Sequence, residues 1–285
     1  MLHLSDLPLE ILVKISEFLS NKDILNLSIS SKYFLDLMFA VKFMDEVYFE
    51  SINKLSYFDS FTNVVYAFNI GQIVFPKNLR ILEWHDSRRL KEIPDSLVEL
   101  KISWTYNRRL PQLPASLEVL KLSYNYDQSL PQLPASLKVL DLGFNHNQLL
   151  PQLPTSLEVL RLSYAYNQPL SLPDSIRTLE LGRRYNQPLS LPDSITRLNL
   201  KDCSTQISRL PNSLKRLDIG WHYKQVLPAI PDSLTEIIIG SYRLMTPFGV
   251  SLRDLAFNQL SLFPKIPTNV IIKFCNGNVF EKLEV

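Results

Sequence analysis

Glycine is scarce in this chain, with seven in 285 residues against nineteen prolines. Glycine-rich phosphate cradles need several glycines at fixed offsets, and no such run occurs. Cysteine appears twice, as Cys203 and Cys275. Two well-separated thiols make no disulfide framework and point to a reducing compartment. No stretch approaches the roughly 18 to 20 unbroken apolar residues of a membrane span. The start of the chain carries His3, Asp6 and Glu10 where a secretory leader has basic and then apolar residues. A cytoplasmic protein is expected, with the nucleus also open and no membrane partner. Charge is not one-sided: 30 basic side chains face 28 acidic ones. A nucleic-acid binder concentrates positive charge, whereas Arg88-Arg89, Arg108-Arg109 and Arg183-Arg184 are isolated pairs; no nucleic-acid partner is expected. Neither His-Glu-x-x-His nor Cys-x-x-Cys occurs. The four histidines, His3, His85, His146 and His222, show no partnered pattern, and His146 stands where neighbouring units have tyrosine. No catalytic residue, metal or cofactor is expected, and the chain reads as a non-enzyme.

What the chain does have is a repeat. Ser-Leu-x-x-Leu-x-Leu recurs at Ser96, Ser116, Ser136, Ser156, Ser175, Ser194, Ser213, Ser233 and, ending in Phe257, Ser251, with a degenerate copy from Asn78. The serines lie 20, 20, 20, 19, 19, 19, 20 and 18 residues apart. In each copy, as in Leu117, Leu120 and Leu122, alternation fits a short strand with one buried side. Stacked copies form a continuous parallel sheet over a shared core. The return segment reads Leu-Pro-Gln-Leu-Pro, as at 130–134. Prolines three apart remove backbone donors and fix φ, which rules out an α-helix and suits an extended path. A period near 20 leaves no room for a convex helix.

Tyr106-Asn107, Tyr126-Asp127, His146-Asn147, Tyr166-Asn167 and Tyr185-Asn186 share one slot of successive units. An inward asparagine there would bond backbone groups of adjacent turns. Two columns are expected to flank the inward leucines. One, Lys101, Lys121, Asp141, Arg161, Glu180, Asn199 and Asp218, mixes charges. The other runs Trp104, Tyr124, Phe144, Tyr164, Arg183, Asp202 and Trp221. Aromatics and arginine anchor protein interfaces, so this column is either a target-binding patch (Trp104, Tyr124, Phe144, Tyr164, Arg183, Trp221) or the completion of the core at the strand ends.

Residues 4–44 follow another rule. Leu7, Ile11, Leu12, Ile15, Phe18 and Leu19 recur at helical spacing, with Pro8 at a helix start and Glu10 in the first turn. Ser20-Asn21-Lys22-Asp23 marks a second start. Short apolar stretches follow, at Ile24–Ile29 and Tyr33–Met38. Three short helices cannot hide this much apolar surface among themselves, so a partner or the repeats must cover part of it. The division expected is a helical module over 1–45, atypical capping repeats over 46–77, and the solenoid over 78–285.

Residues 116–134, and Tyr166-Asn167-Gln168-Pro169-Leu170 above all, resemble the FNIP repeat, a leucine-rich-repeat subclass; the likeness runs from 78 to about 260 and fades after Leu200. The front module resembles an F-box through Leu7-Pro8-Leu9-Glu10-Ile11-Leu12, Ile15, Phe18-Leu19, Asp23-Ile24-Leu25, Leu27 and Ser31-Lys32. The resemblance implies an α+β architecture, an F-box ahead of a leucine-rich solenoid. It implies that Leu7, Pro8, Ile11, Ile15 and Leu19 dock a Skp-type adaptor, and through it a cullin-based ubiquitin ligase, while the repeats bind a target protein. The alternatives are a non-catalytic scaffold or decoy that binds the adaptor or another protein without promoting ubiquitination, and a helical cap that only seals the repeats.

Overall fold

The computed structural model describes residues 7–30, 37–67, 73–201, 203–220, 223–241, 262–263, 270–276 and 279–283. Its backbone is a solenoid of about ten turns built on one 13-stranded sheet, whose spatial order is the order of the chain. Every pairing is parallel except the last. The repeat unit explains itself in β5 (Val119–Lys121), β6 (Val139–Asp141) and β7 (Val159–Arg161), which stack with Leu120, Leu140 and Leu160 in register. These leucines are fully buried, as are Leu117, Leu137 and Leu157 one turn earlier in each unit. Each such burial is worth about 1.5–3 kcal/mol, and no coil achieves it alone, because its core face is covered by the neighbouring coils.

The serine that marks the period is a strap between coils. Ser116 Oγ donates to Leu97 O at 2.6 Å, Ser136 to Leu117 O at 2.6 Å, Ser156 to Leu137 O at 2.7 Å and Ser175 to Leu157 O at 2.7 Å. The proline two residues before it opens a tight turn: Leu117 N donates to Pro114 O and Leu137 N to Pro134 O, both at 3.1 Å. The convex segments are helix-free, as the prolines require. They turn Leu113, Leu133 and Leu153 inward, so the Leu-Pro-Gln-Leu-Pro run also builds core.

Stacking continues past Leu200, where the repeat fades. β9 (Arg197–Lys201), β10 (Arg216–Ile219) and β11 (Glu236–Ser241) pair in parallel, with one register shift between Asp218 and Ile219. There Lys201 takes φ 48°, its N–H bonded to Asn199 Oδ1 at 2.9 Å. Tyr223 is fully buried and fills the aromatic slot, while Cys203 and Thr205 occupy the turn that has no ring. The period places the next strand at Ser251–Phe257, which lies outside the described residues. The ladder instead joins β11 directly to β12 (Ile271–Asn276), and β13 (Val279–Leu283) closes the sheet antiparallel. The alternating run Ile271-Ile272-Lys273-Phe274 supplies the β-branched pattern that position needs.

At the front, α1 (Leu9–Ser16), α2 (Asn21–Ser30) and α3 (Leu37–Ala40) bury Leu12, Ile24 and Leu37. Pro8 holds the N-cap position of α1 with extended ψ. Ser20 Oγ caps α2 by accepting from Asp23 N at 3.2 Å. Asn21 and Asp45 bind each other across the junction, Asn21 N donating to Asp45 Oδ2 at 2.7 Å and Asp45 N to Asn21 Oδ1 at 3.3 Å. The helices then run into the sheet through β1 (Val47–Tyr48) and β2 (Asn63–Tyr66), and the core is continuous from Leu12 to Ile272.

Candidate interaction surfaces

The helical module keeps an apolar stripe outside. In α1, Leu12 and Ser16 face inward, whereas Leu9 and Ile11 lie exposed and Phe18, two residues beyond the helix, is 88% exposed. Ile11, Ile15 and Phe18 follow the i, i+4, i+7 spacing of a single helix face, and Phe18 N still bonds Ile15 O at 3.1 Å. Of the residues expected to dock a partner, Pro8 and Ile11 are exposed and Ile15 is half-buried. Leu7 and Leu19 are half-buried and pack against the core. Phe18 was not among the expected docking residues, although its distance of seven from Ile11 puts it on that face.

The rim after each strand carries the second surface. A tight turn, with Tyr106 N donating to Ser103 O at 3.2 Å and Tyr166 N to Ser163 O at 3.3 Å, interrupts the in–out alternation of the strand. Trp104 and Tyr124 stand exposed and Phe144 and Tyr164 half-buried at the rim, while Tyr106, Tyr126, His146, Tyr166 and Tyr185 are fully buried. The outer rings form a stack: Trp104 to Tyr124 at 5.9 Å, Tyr124 to Phe144 at 4.3 Å and Phe144 to Tyr164 at 4.6 Å, the last two pairs within 9° of parallel. The column therefore does not complete the core. Past Tyr164 the cation over the ring is Arg184, 5.8 Å from the centroid. Arg183 lines a hollow beside it, with Arg184 and Tyr164, and Trp221 lies outside the described residues.

The side chains beside the inner column lie at the rim, exposed at Asn107, Asn147 and Asn186 and half-buried at Asp127 and Asn167, a correction to their inward placement. The ring takes the inside because it has the larger apolar surface to hide, and the amide works from the rim. Asn107 Oδ1 accepts from Asp127 N at 2.9 Å, Asp127 Oδ1 from Asn147 N at 2.8 Å, Asn147 Oδ1 from Asn167 N at 2.8 Å and Asn167 Oδ1 from Asn186 N at 3.0 Å. A glutamine of the next coil adds a second donor, as Gln128 Nε2 does to Asn107 Oδ1 at 3.2 Å. Asn147→Ala is expected to cost about 1 kcal/mol, the usual net value of such a bond, read as a lower urea midpoint at unchanged slope.

The inner column is apolar enough to alter its own chemistry. Burial raises the Tyr166 and Tyr185 hydroxyl pKa values to about 12 and lowers that of His146 to about 4. His146 stacks between Tyr126 and Tyr166, at 5.9 and 6.4 Å, with neither ring nitrogen hydrogen-bonded. It acts there as a flat filler.

The open sheet face is charged but paired. Lys101 and Lys121 lie within 4.0 Å of Glu99, Arg161 and Lys201 of Glu180, Arg197 and Arg216 of Asp218, and Lys273 of Glu236. Asp218 is nearly enclosed, and burial raises its pKa against the pull of Arg216 and Arg197. Among the described residues no group of three His, Cys, Asp or Glu side chains is placed to hold a metal, and no helix is long and apolar enough to cross a membrane.

Two protein families match parts of the chain. The F-box domain family matches residues 4–44, and the FNIP Repeat family matches 106–145, 144–183, 166–203 and 204–242. The solved structure of CroV588, described as a novel circular leucine-rich-repeat protein, is 26% identical with a TM-score of 0.59. The match covers 76% of this chain and 34% of that one, so the chain spans about a third of the length of CroV588. YopM from Yersinia enterocolitica is 21% identical with a TM-score of 0.39, over 76% of this chain and 64% of that one. No curated protein matches the chain.

Proposed function

We propose, of a chain that carries an F-box domain followed by FNIP repeats, that it is the substrate-recognition subunit of a Skp–cullin–F-box ubiquitin ligase. In this reading the front module docks a Skp-type adaptor and through it a cullin, and the repeats hold a target protein. The chain itself is not an enzyme; ubiquitin transfer belongs to other subunits, in the cytoplasm. An F-box ahead of leucine-rich-type repeats is typical of adaptor and binding proteins. The observation that supports docking is the stripe of Pro8, Ile11 and Phe18, left exposed with Ile15 half-buried between them, while Leu12 on the other side of α1 and Ile24 of α2 are sealed. Exposure of a ring as large as Phe18 is costly in an isolated protein and is removed by a partner groove. Residues 46–77 serve as the capping repeats between the docking module and the solenoid, since their strands β1 and β2 extend the sheet.

The test is binding of the full chain to a purified Skp-type adaptor. Ile11→Asp/Phe18→Asp places two charges in the stripe without touching the core, and is expected to weaken binding by at least about 2 kcal/mol, the mark of a buried hot spot, at unchanged Tm. Leu7→Asp is a poorer probe, because Leu7 packs against the core. Absence of binding by folded wild type would reduce the helices to a cap. Binding without ubiquitin transfer in a reconstituted ligase reaction would favour the decoy reading.

A further inference from the structure

The aromatic stack of the rim ends in a hollow of about 690 Å³. Tyr164, Arg183, Arg184 and Lys224 stand on its walls, and its lining holds no carboxylate. Among the described residues none of these three cations has an ion pair, in contrast to the sheet face beside them, where Arg161, Lys201 and Arg216 are each paired. Three cations without an ion pair among the described residues thus stand together at one end of the aromatic column, and Arg184 continues the stack over Tyr164 as a cation.

We propose that this rim recognises an acidic peptide segment of the target. Carboxylates of the segment lie over Arg183, Arg184 and Lys224, and an aromatic or long apolar side chain rests on the edges of Trp104, Tyr124 and Phe144. The proposal rests on the reading of the repeats as the target-binding part. Its occupant follows from charge complementarity and from length. Four steps between neighbouring strands, about 4.8 Å each, cover about 19 Å from Trp104 to Arg184, which an extended peptide spans with about six residues. Aromatic rings beside arginines also hold single-stranded nucleic acid, but there the bases stack on open ring faces. Here Tyr124, Phe144 and Tyr164 close their faces on one another at 4.3 and 4.6 Å, so that edges, not faces, are offered along most of the column. Edges suit peptide side chains.

The experiment is fluorescence anisotropy of the full chain with a labelled ten-residue peptide of alternating glutamate and tyrosine. Its lysine-for-glutamate counterpart and a ten-nucleotide single-stranded DNA are measured beside it. The acidic peptide is expected to bind, more weakly as salt rises. Arg184→Glu/Lys224→Glu should weaken it at least tenfold, and Trp104→Ala, at a side chain 75% exposed and so of little weight in folding, at least threefold. Both variants should keep the wild-type Tm and wild-type adaptor binding. Equal or tighter binding of the lysine peptide or of the DNA, or acidic-peptide affinity untouched by the charge reversal, overturns the proposal. Acidic-peptide binding that persists in a chain unable to bind the adaptor removes the ligase reading and leaves this one standing.

Discussion

Gly143→Ala is expected to destabilise the protein by about 4 kcal/mol and to split its unfolding into two steps. Gly143 sits on the rim turn at φ +69°, where a Cβ would lie 2.1 Å from Ser123 O and 2.9 Å from Leu122 O, both backbone atoms of the preceding coil. Holding a non-glycine residue in the left-handed region costs about 1–3 kcal/mol, and forcing apart packed backbone adds about as much again. Neither atom can swing away as a side-chain tip would. Gly182 separates the two effects. It occupies the same slot one coil beyond Ser163 with no positive φ, yet its Cβ would approach Ser163 O to 1.8 Å. Gly182→Ala therefore carries the crowding without the backbone strain, and its loss should be smaller. In an array stabilised through neighbours, a weakened junction at the centre uncouples the halves. The measurement is urea unfolding followed by circular dichroism: the midpoint should fall and the apparent slope should drop below the wild-type value. A variant with wild-type midpoint and slope would mean that the coils have slack at this junction.

The same turn marks the limit of what the sequence discloses. The period of serine, leucine and proline is readable because each has one physical task that recurs in every coil: strap, core and helix-free return. Strand alternation then assigns Leu120 inside and Lys121 outside. Two residues later the chain turns, parity is lost, and side-chain type alone does not say whether Tyr124 or Tyr126 is the buried one. Asn147 was placed inside on the strength of its amide, yet the amide can satisfy the next coil's N–H from the rim, so the larger apolar ring took the interior. Phe18 was legible as a helical i+7 partner of Ile11 but not as exposed, since helical spacing alone does not say which flank of a wide apolar face the other helices cover. The end of the solenoid escaped for a different reason. A strand at 271–276 is joined to β11 by a connection that breaks the 20-residue period, and periodicity carries no information about its own interruption.

The pH dependence of stability should isolate one side chain in that buried column. His146 lies fully inside, between Tyr126 and Tyr166, and burial lowers its pKa from 6.5 to about 4, with Asp127 giving a smaller opposing pull. Unfolding releases it to its ordinary value, so between pH 6.5 and 4 the unfolded chain binds more protons than the folded one. Stability therefore falls as pH drops through this window and levels off below it, by on the order of 3 kcal/mol from this residue. Carboxylates also lose contributions in acid, Asp193 among them, whose pKa Arg209 holds low, but they act mainly below pH 4, whereas Asp218, raised by burial, acts with the opposite sign. His146→Phe keeps a flat ring in the stack and removes the titrating group. It should match or exceed wild-type stability at pH 7.5 and should flatten the stability profile between pH 6.5 and 4.5, read as Tm against pH for both proteins. Parallel profiles for the two would show that His146 protonates in place, with a hydrogen-bond partner in the interior, and that the column is wetter than its packing indicates. Divergent profiles would show instead that the ring slot selects for flatness and tolerates histidine only while it is neutral. That selection is why all four of the other members of the column, Tyr106, Tyr126, Tyr166 and Tyr185, are tyrosines stacked in line with it.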